Sequence, residues 1–210
     1  MSFLAIHRAV ATEGAVATEG AVASPPWSTD DPERIQAELG TRGIRFERWP
    51  AQANLEAGAT PETILATYRE EIDRVQQGGA YPTVDAIRLT PDHPDKEALR
   101  SRFLAEHTHS EDEVRFFVEG RGLFCLHQGE EVLQLLCERN DWVAVPAGTR
   151  HWFDMGAEPH FCALRFFNDP QGWVAEFTGD GIAARFPLLE ELAAVAASAP
   201  SAQLCMRGSE

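Results

Sequence analysis

The sequence predicts a mainly β fold, a sandwich or barrel of antiparallel strands with flanking α-helices around one core. Three observations carry that expectation. From Glu113 to Asn168 the string EVRFFVEGRGLFCLHQGEEVLQLLCERNDWVAVPAGTRHWFDMGAEPHFCALRFFN is rich in β-branched and aromatic residues and is cut by Gly, Asn and Pro at short intervals, the texture of many short antiparallel strands. Upstream, apolar residues recur at helical spacing between capping residues and glycines, which places helices mostly before the strands. At 210 residues and 44% hydrophobic content, the chain can bury one sizeable core.

In chain order, the first feature is AVATEGAVATEGAVAS from Ala9 to Ser24, a six-residue repeat used twice before it fades. Its period is far too short for a solenoid unit, and it has no aromatic anchor. Residues 1–26 are therefore expected to be a flexible or peripheral segment, residues 27–200 a single domain, and residues 201–210 a tail. STDDPERIQAELGTRG offers an N-cap, a proline in the first turn and a glycine stop, predicting a helix from about Pro32 to Leu39. IRFERW alternates like a strand. TPETILATYREEIDRVQQGG carries Ile64, Leu65, Tyr68, Ile72 and Val75 at helical spacing and predicts the longest helix of the first half. VDAIRLT reads as a strand, PDKEALRSRFL as a helix beginning at a proline, residues 84–168 as the barrel, and Leu188 to Ala197 as a closing helix.

A formal charge of −15 with no basic stripe argues against nucleic acid or an anionic membrane as partner, because phosphates reward clustered Lys and Arg. Nothing approaches the roughly 18 consecutive apolar residues of a membrane span. The N-terminal residues lack a basic segment followed by an apolar one, so a soluble cytoplasmic chain is expected. Cys125, Cys137, Cys162 and Cys205 show no paired metal-type spacing, and three of them sit in apolar runs that suit buried, reduced thiols.

The chemistry concentrates in EHTHSEDE, Glu106 to Glu113, which packs two histidines and four carboxylates into eight residues at the start of an apolar strand. On an extended chain His107 and His109 leave the same face, while Thr108 points away. A bend through Ser110 to Asp112 would return Glu113 towards them. His151, after the turn-forming PAGTR, can bring a third imidazole from a neighbouring strand. Three imidazoles and a carboxylate suit Fe(II), Ni, Co or Mn better than a closed structural zinc site, which usually recruits thiolates. Glu111 reads as a solvated loop charge, and His7, His93, His127 and His160 as surface or structural residues.

These residues carry a resemblance. HTHSEDEVRFFVEG resembles the first signature of the cupin superfamily, His-x-His, three residues, Glu, six residues, Gly, with Gly120 in place; PAGTRH resembles the second, Pro-x-Gly-x-x-His. At the flanks Ser101 and Asn140 stand where glycines are common, and Met155 where an Asn is. The longer strings EHTHSEDEVRFFVEGRGLFCLH, VPAGTRHWFDMG and RFFNDPQGWVAEFTGDGIA are similar to the acireductone dioxygenase family, and the similarity covers about residues 27–186. It implies a cupin double-stranded β-helix barrel with one Fe(2+) or Ni(2+) per chain, held by His107, His109, Glu113 and His151. The implied substrates are O2 and 1,2-dihydroxy-3-keto-5-(methylthio)pentene, an acireductone of methionine salvage, and the expected state is a monomer. The iron form is associated with formate and a 2-keto acid, the nickel form with formate, carbon monoxide and a methylthio acid.

Further roles follow from position. Arg115 shares a strand face with Glu113 and can either bind the substrate's anionic oxygens or brace the ligand carboxylate. Phe153, two residues after His151, lines the same pocket, and Arg165 and Trp173 join it as substrate-binding residues. Asp112 is a candidate base, or a partner that orients a ligand imidazole. The fold would also suit a cupin metal or ligand sensor, or a cupin isomerase or dioxygenase with another substrate, because function belongs to the site.

Overall fold

The computed structural model describes residues 1–9, 25, 27–51, 53–77, 79–169 and 174–198. Its elements are β1 (Phe3–Arg8), β2 (Trp27–Thr29), α1 (Pro32–Gly40), β3 (Arg45–Arg48), α2 (Pro61–Thr67), α3 (Arg69–Gln76), β4 (Thr83–Leu89), α4 (Lys96–Phe103), β5 (His107–Thr108), β6 (Glu113–Gln128), β7 (Glu131–Glu138), β8 (Asp141–Val145), β9 (Arg150–Asp154), β10 (Phe161–Phe167), β11 (Glu176–Phe177), a 3₁₀ turn (Ile182–Arg185) and α5 (Leu189–Ser198).

All the pairings are antiparallel, and β6 belongs to two sheets. Its first half pairs with β8 and β10, extended by β3 and β4; its second half pairs with β7 and β9, extended by β1, β2, β5 and β11. The sequence suggests short strands here, yet β6 runs for 16 residues. Gly120 bends it instead of ending it. At φ +64°, with an added Cβ only 1.8 Å from the His160 carbonyl oxygen, the position admits glycine alone, and the strand turns there from one sheet into the other.

Inward-facing residues of both sheets, among them Phe117, Phe124, Leu133, Val143, Phe153 and Phe161, form the barrel interior. One outer face is covered by α5 and the 3₁₀ turn through Leu189, Leu192 and Ile182 against Leu123, Cys125 and Trp152. The other is covered by Ile64, Tyr68 and Ile72 against Val114, Phe116 and Trp142. Cys125, Cys137 and Cys162 are buried free thiols, and burial pushes Cys162 up to about 12.

Two expectations need correcting. The segment predicted as one long helix divides at Tyr68, whose φ of −105° and ψ of 30° leave the helical range. The buried ring there meets Phe116 edge-on at 6.2 Å and donates its hydroxyl to the Ala53 carbonyl at 2.9 Å. Residues 1–26 are also not uniformly peripheral. β1 pairs with β7 from Phe3↔Leu136 to Arg8↔Glu131, and Phe3, Leu4, Ala5 and Ile6 are buried. Burial of these four apolar side chains along β7 holds the strand in the sheet. The repeat itself, residues 10–24, lies outside the described residues. Asn140 takes the left-handed conformation, φ 87°, that the second signature usually gives to glycine, and its side chain accepts from the Ala51 N–H at 2.8 Å.

Candidate metal centre

The cluster is built by three strand ends meeting at one mouth of the barrel. His107 on β5 pairs in register with His151 on β9, and His151 lies opposite Leu126 of β6. His109 and Glu113 flank the bend between β5 and β6. Two hydrogen bonds tie that bend to the loop before His151: Gly148 N–H donates to the His109 carbonyl at 2.8 Å, and Ala147 N–H to Asp112 Oδ1 at 3.0 Å. One potential ligand atom from each of His107, His109, Glu113 and His151 lies within 4.8 Å of all the others, and all four residues are buried.

Backbone carbonyls fix the imidazoles. His107 Nδ1 donates to Ala105 O at 2.7 Å, His109 Nδ1 to Val174 O at 3.0 Å and His151 Nδ1 to Thr149 O at 2.8 Å. A carbonyl only accepts, so each Nδ1 carries a hydrogen and each Nε2 turns its lone pair towards the centre. Glu113 Oε2 sits 2.9 Å from His151 Nε2 and 3.1 Å from His109 Nε2. Lone pairs that close repel one another unless a cation lies among them, so the donor set fits a metal on its own geometry.

The electrostatics agree. Burial opposes charge on His107, His109 and Glu113. It pushes His107 down to about 4, with His151 adding to the effect, so this ring is neutral near pH 7. For His109 burial is outweighed by Glu113, and its pKa is raised. For Glu113 burial is outweighed by Arg115 and the imidazoles, which hold the carboxyl well below its usual range.

Arg115 reaches Glu113 Oε1 at 2.7 Å, and its guanidinium lies 4.7 Å from the Phe153 ring centre and 5.0 Å from that of Phe124. Arg115 thus pairs with the cluster's carboxylate, and Phe153 packs against Arg115. Arg165 pairs across the sheet with Arg115 and holds Asp85 through two bonds of 2.8 and 2.6 Å. Asp112, besides its bond from Ala147 N–H, accepts from the Tyr81 hydroxyl at 3.2 Å; these two bonds steady the loop before His151 and involve no imidazole. Glu111 is half-buried and accepts from Asp169 N–H at 2.9 Å, so it is not a free loop charge. Trp173 lies outside the described residues.

Residues that the motif reading passes over also support the cluster. Glu106, with no exposed side-chain surface, bonds His127 Nδ1 at 2.6 Å and accepts from the Thr178 hydroxyl at 2.7 Å, while Arg150 approaches His127 Nε2 at 3.3 Å. The residues preceding His107 and His151 are thereby joined through one buried histidine. A carboxylate beside the His-x-His pair was the available signal; nothing local marks His127 as its partner.

A family model described as ARD/ARD′ matches residues 26–175. The chain belongs to that family. Among ARD/ARD′ relatives, the acireductone dioxygenase of Prochlorococcus marinus strain MIT 9303 is 67% identical over 165 residues, covering 79% of this chain and 89% of its own length. That of strain MIT 9313 is 61% identical over 189 residues, 90% of this chain and 100% of its own. In structure, the acireductone dioxygenase from Bacillus anthracis, solved with a cadmium ion in its active centre, superposes with a TM-score of 0.70 at 25% identity, over 84% of this chain and 98% of that one. This ARD/ARD′ member is accordingly an enzyme, an oxidoreductase of the dioxygenase type on a cupin barrel.

Proposed function

We propose that this chain cleaves 1,2-dihydroxy-3-keto-5-(methylthio)pentene with O2 in methionine salvage, as a cytoplasmic monomer carrying one Fe(2+) or Ni(2+) on His107, His109, Glu113 and His151. With iron the products are formate and 2-keto-4-methylthiobutyrate. With nickel they are formate, carbon monoxide and 3-methylthiopropionate. The observation that carries this reading is the buried cluster of three imidazoles and one carboxylate, oriented by carbonyls, with Arg115 beside it, in a chain of the ARD/ARD′ family.

When bound, the metal supplies a Lewis-acidic centre at which two oxygens of an ene-diolate can sit side by side. The protein's own groups do the rest. The carbonyls of Ala105, Thr149 and Val174 lock the imidazole tautomers and ring planes. A divalent cation with three neutral imidazoles, Glu113 and Arg115 leaves net positive charge in a buried pocket, which favours an anionic substrate and disfavours its neutral form. Arg115 holds Glu113 deprotonated and adds a buried positive charge that attracts the substrate's anionic oxygens. The rings of Phe124 and Phe153 keep water from this charge and offer an apolar surface to the methylthio tail. Arg165 and Trp173 complete the proposed substrate-binding set, and Asp112 holds the loop before His151. Among the described residues no helix is long and apolar enough to cross a membrane.

The test is anaerobic mixing of metal-reconstituted protein with the acireductone, followed by admission of O2. Oxygen uptake matched to loss of the ene-diolate absorbance supports the reading. Decay no faster than in buffer, with metal bound, refutes it.

A further inference from the structure

Gly122 lies in the second half of β6, inside the barrel, and its φ is outside the left-handed region that would call for glycine. Its reason is steric. A Cβ built there stands 2.3 Å from Cζ and 2.8 Å from Cε2 of Phe153, so the Phe153 ring occupies the space a side chain would take. That ring has no easy retreat. It is 2% exposed and caged by Phe124, Phe161, Phe117 and Phe103 at centroid distances of 5.1, 5.5, 6.3 and 6.4 Å. Its face carries the Arg115 guanidinium at 4.7 Å, and Arg115 in turn holds Glu113 Oε1 at 2.7 Å.

We propose that Gly122 is a positioning residue for the metal centre: the absent Cβ seats Phe153, and the seated ring fixes Arg115 against Glu113. The inference rests on the reading of Glu113 as a metal ligand and Arg115 as its neighbour. A methyl group at residue 122 displaces the ring, moves the cation that leans on it and changes the field that Glu113 presents to a metal, without touching any ligand.

The experiment compares wild type, Gly122→Ala, Phe153→Leu and the double variant, each loaded with Co(2+) and each assayed with the acireductone. Gly122→Ala should keep one metal per chain while its visible Co(2+) bands shift and kcat/KM falls on the order of tenfold to a hundredfold. In the double variant the smaller Leu makes room for the methyl, and both the bands and kcat/KM should move back towards those of Phe153→Leu alone. If Gly122→Ala lowers the melting temperature but leaves the Co(2+) spectrum and kinetics unchanged, the glycine serves packing alone and the proposal fails. It fails equally if the double variant is no closer to Phe153→Leu than Gly122→Ala is. Should Gly122→Ala not fold, the folded double variant decides: a spectrum and kcat/KM like those of Phe153→Leu support the proposal, and the altered signature in a well-folded double variant overturns it. Wild type without acireductone turnover would defeat the functional reading and leave the spectra to judge this one.

Discussion

Arg115 stands 2.7 Å from Glu113, both side chains buried on one face of β6. A paired guanidinium steadies the carboxylate's charge and its direction at once, so the two roles open to Arg115 in the sequence, binding substrate and bracing a ligand, are not exclusive. Arg115→Ala should weaken metal affinity by about tenfold to a hundredfold, the loss of one bond to a charged group, roughly 1.5–3 kcal/mol. Saturating metal should restore occupancy but not full turnover. Arg115→Lys should recover part of both, keeping the charge without the planar fork. Competition with a chelator measures affinity, and kinetics on the same preparations measure turnover; complete rescue of activity by added metal would leave bracing as the whole role.

Asp112 joins the two halves of the site, since Ala147 N–H donates to it at 3.0 Å and the Tyr81 hydroxyl at 3.2 Å. Asp112→Ala should loosen the loop before His151 and speed metal loss to a chelator, whereas Asp112→Asn, which keeps an acceptor for Ala147, should retain metal better. Equal and wild-type-like release from both variants, with turnover abolished, would show Asp112 to be a base instead.

Burial and then Asp112 push Tyr81 up to about 12, and burial raises Tyr68 as well. These are the chain's two tyrosines, so the native absorbance near 295 nm should show no phenolate growth at the ordinary value near 10. Both folded values lie above the unfolded one. The stability that follows from keeping these phenols protonated is therefore full below pH 10 and lost as pH rises through 10 towards 12. A normal tyrosine titration in protein that is still folded would contradict this.

The N-terminal strand should matter more than the repeat after it. Leu4 is fully buried between β2 and β7, and Leu4→Ala should cost about 2–5 kcal/mol in denaturant unfolding. Because β1 and β2 pair as far as Ile6↔Trp27, the chain leaving Arg8 needs only a short connection to return. Deleting residues 11–22 should leave the melting temperature near that of the intact chain; a collapse on deletion would overturn that expectation.

What the sequence disclosed, and what it did not, follows from the range of each interaction. His107, His109 and Glu113 are local, and strand parity plus one bend was enough to bring them together; His151 needed the Pro-x-Gly turn to supply the partner strand. Arg115 followed from the same parity. The strand Phe3–Arg8 stayed hidden because its partner begins at Glu131 and its neighbour in sequence is a low-complexity repeat. The glycines of the Glu113–Asn168 string suggested short strands because glycine marks both strand ends and bends, and only the second sheet shows that Gly120 is a bend. The carbonyls of Ala105, Thr149 and Val174 had no sequence signal at all, since any residue carries one.

The most direct test of the central claim is isotopic. Protein reconstituted with Fe(2+) or with Ni(2+) is mixed anaerobically with the acireductone, exposed to 18O2, and its products are identified by mass spectrometry. One labelled oxygen is expected in formate and one in the new carboxylate, with carbon monoxide released from the nickel form alone and no turnover by His151→Ala. Unlabelled acids, or acireductone loss at the rate of the protein-free control, would contradict the claim.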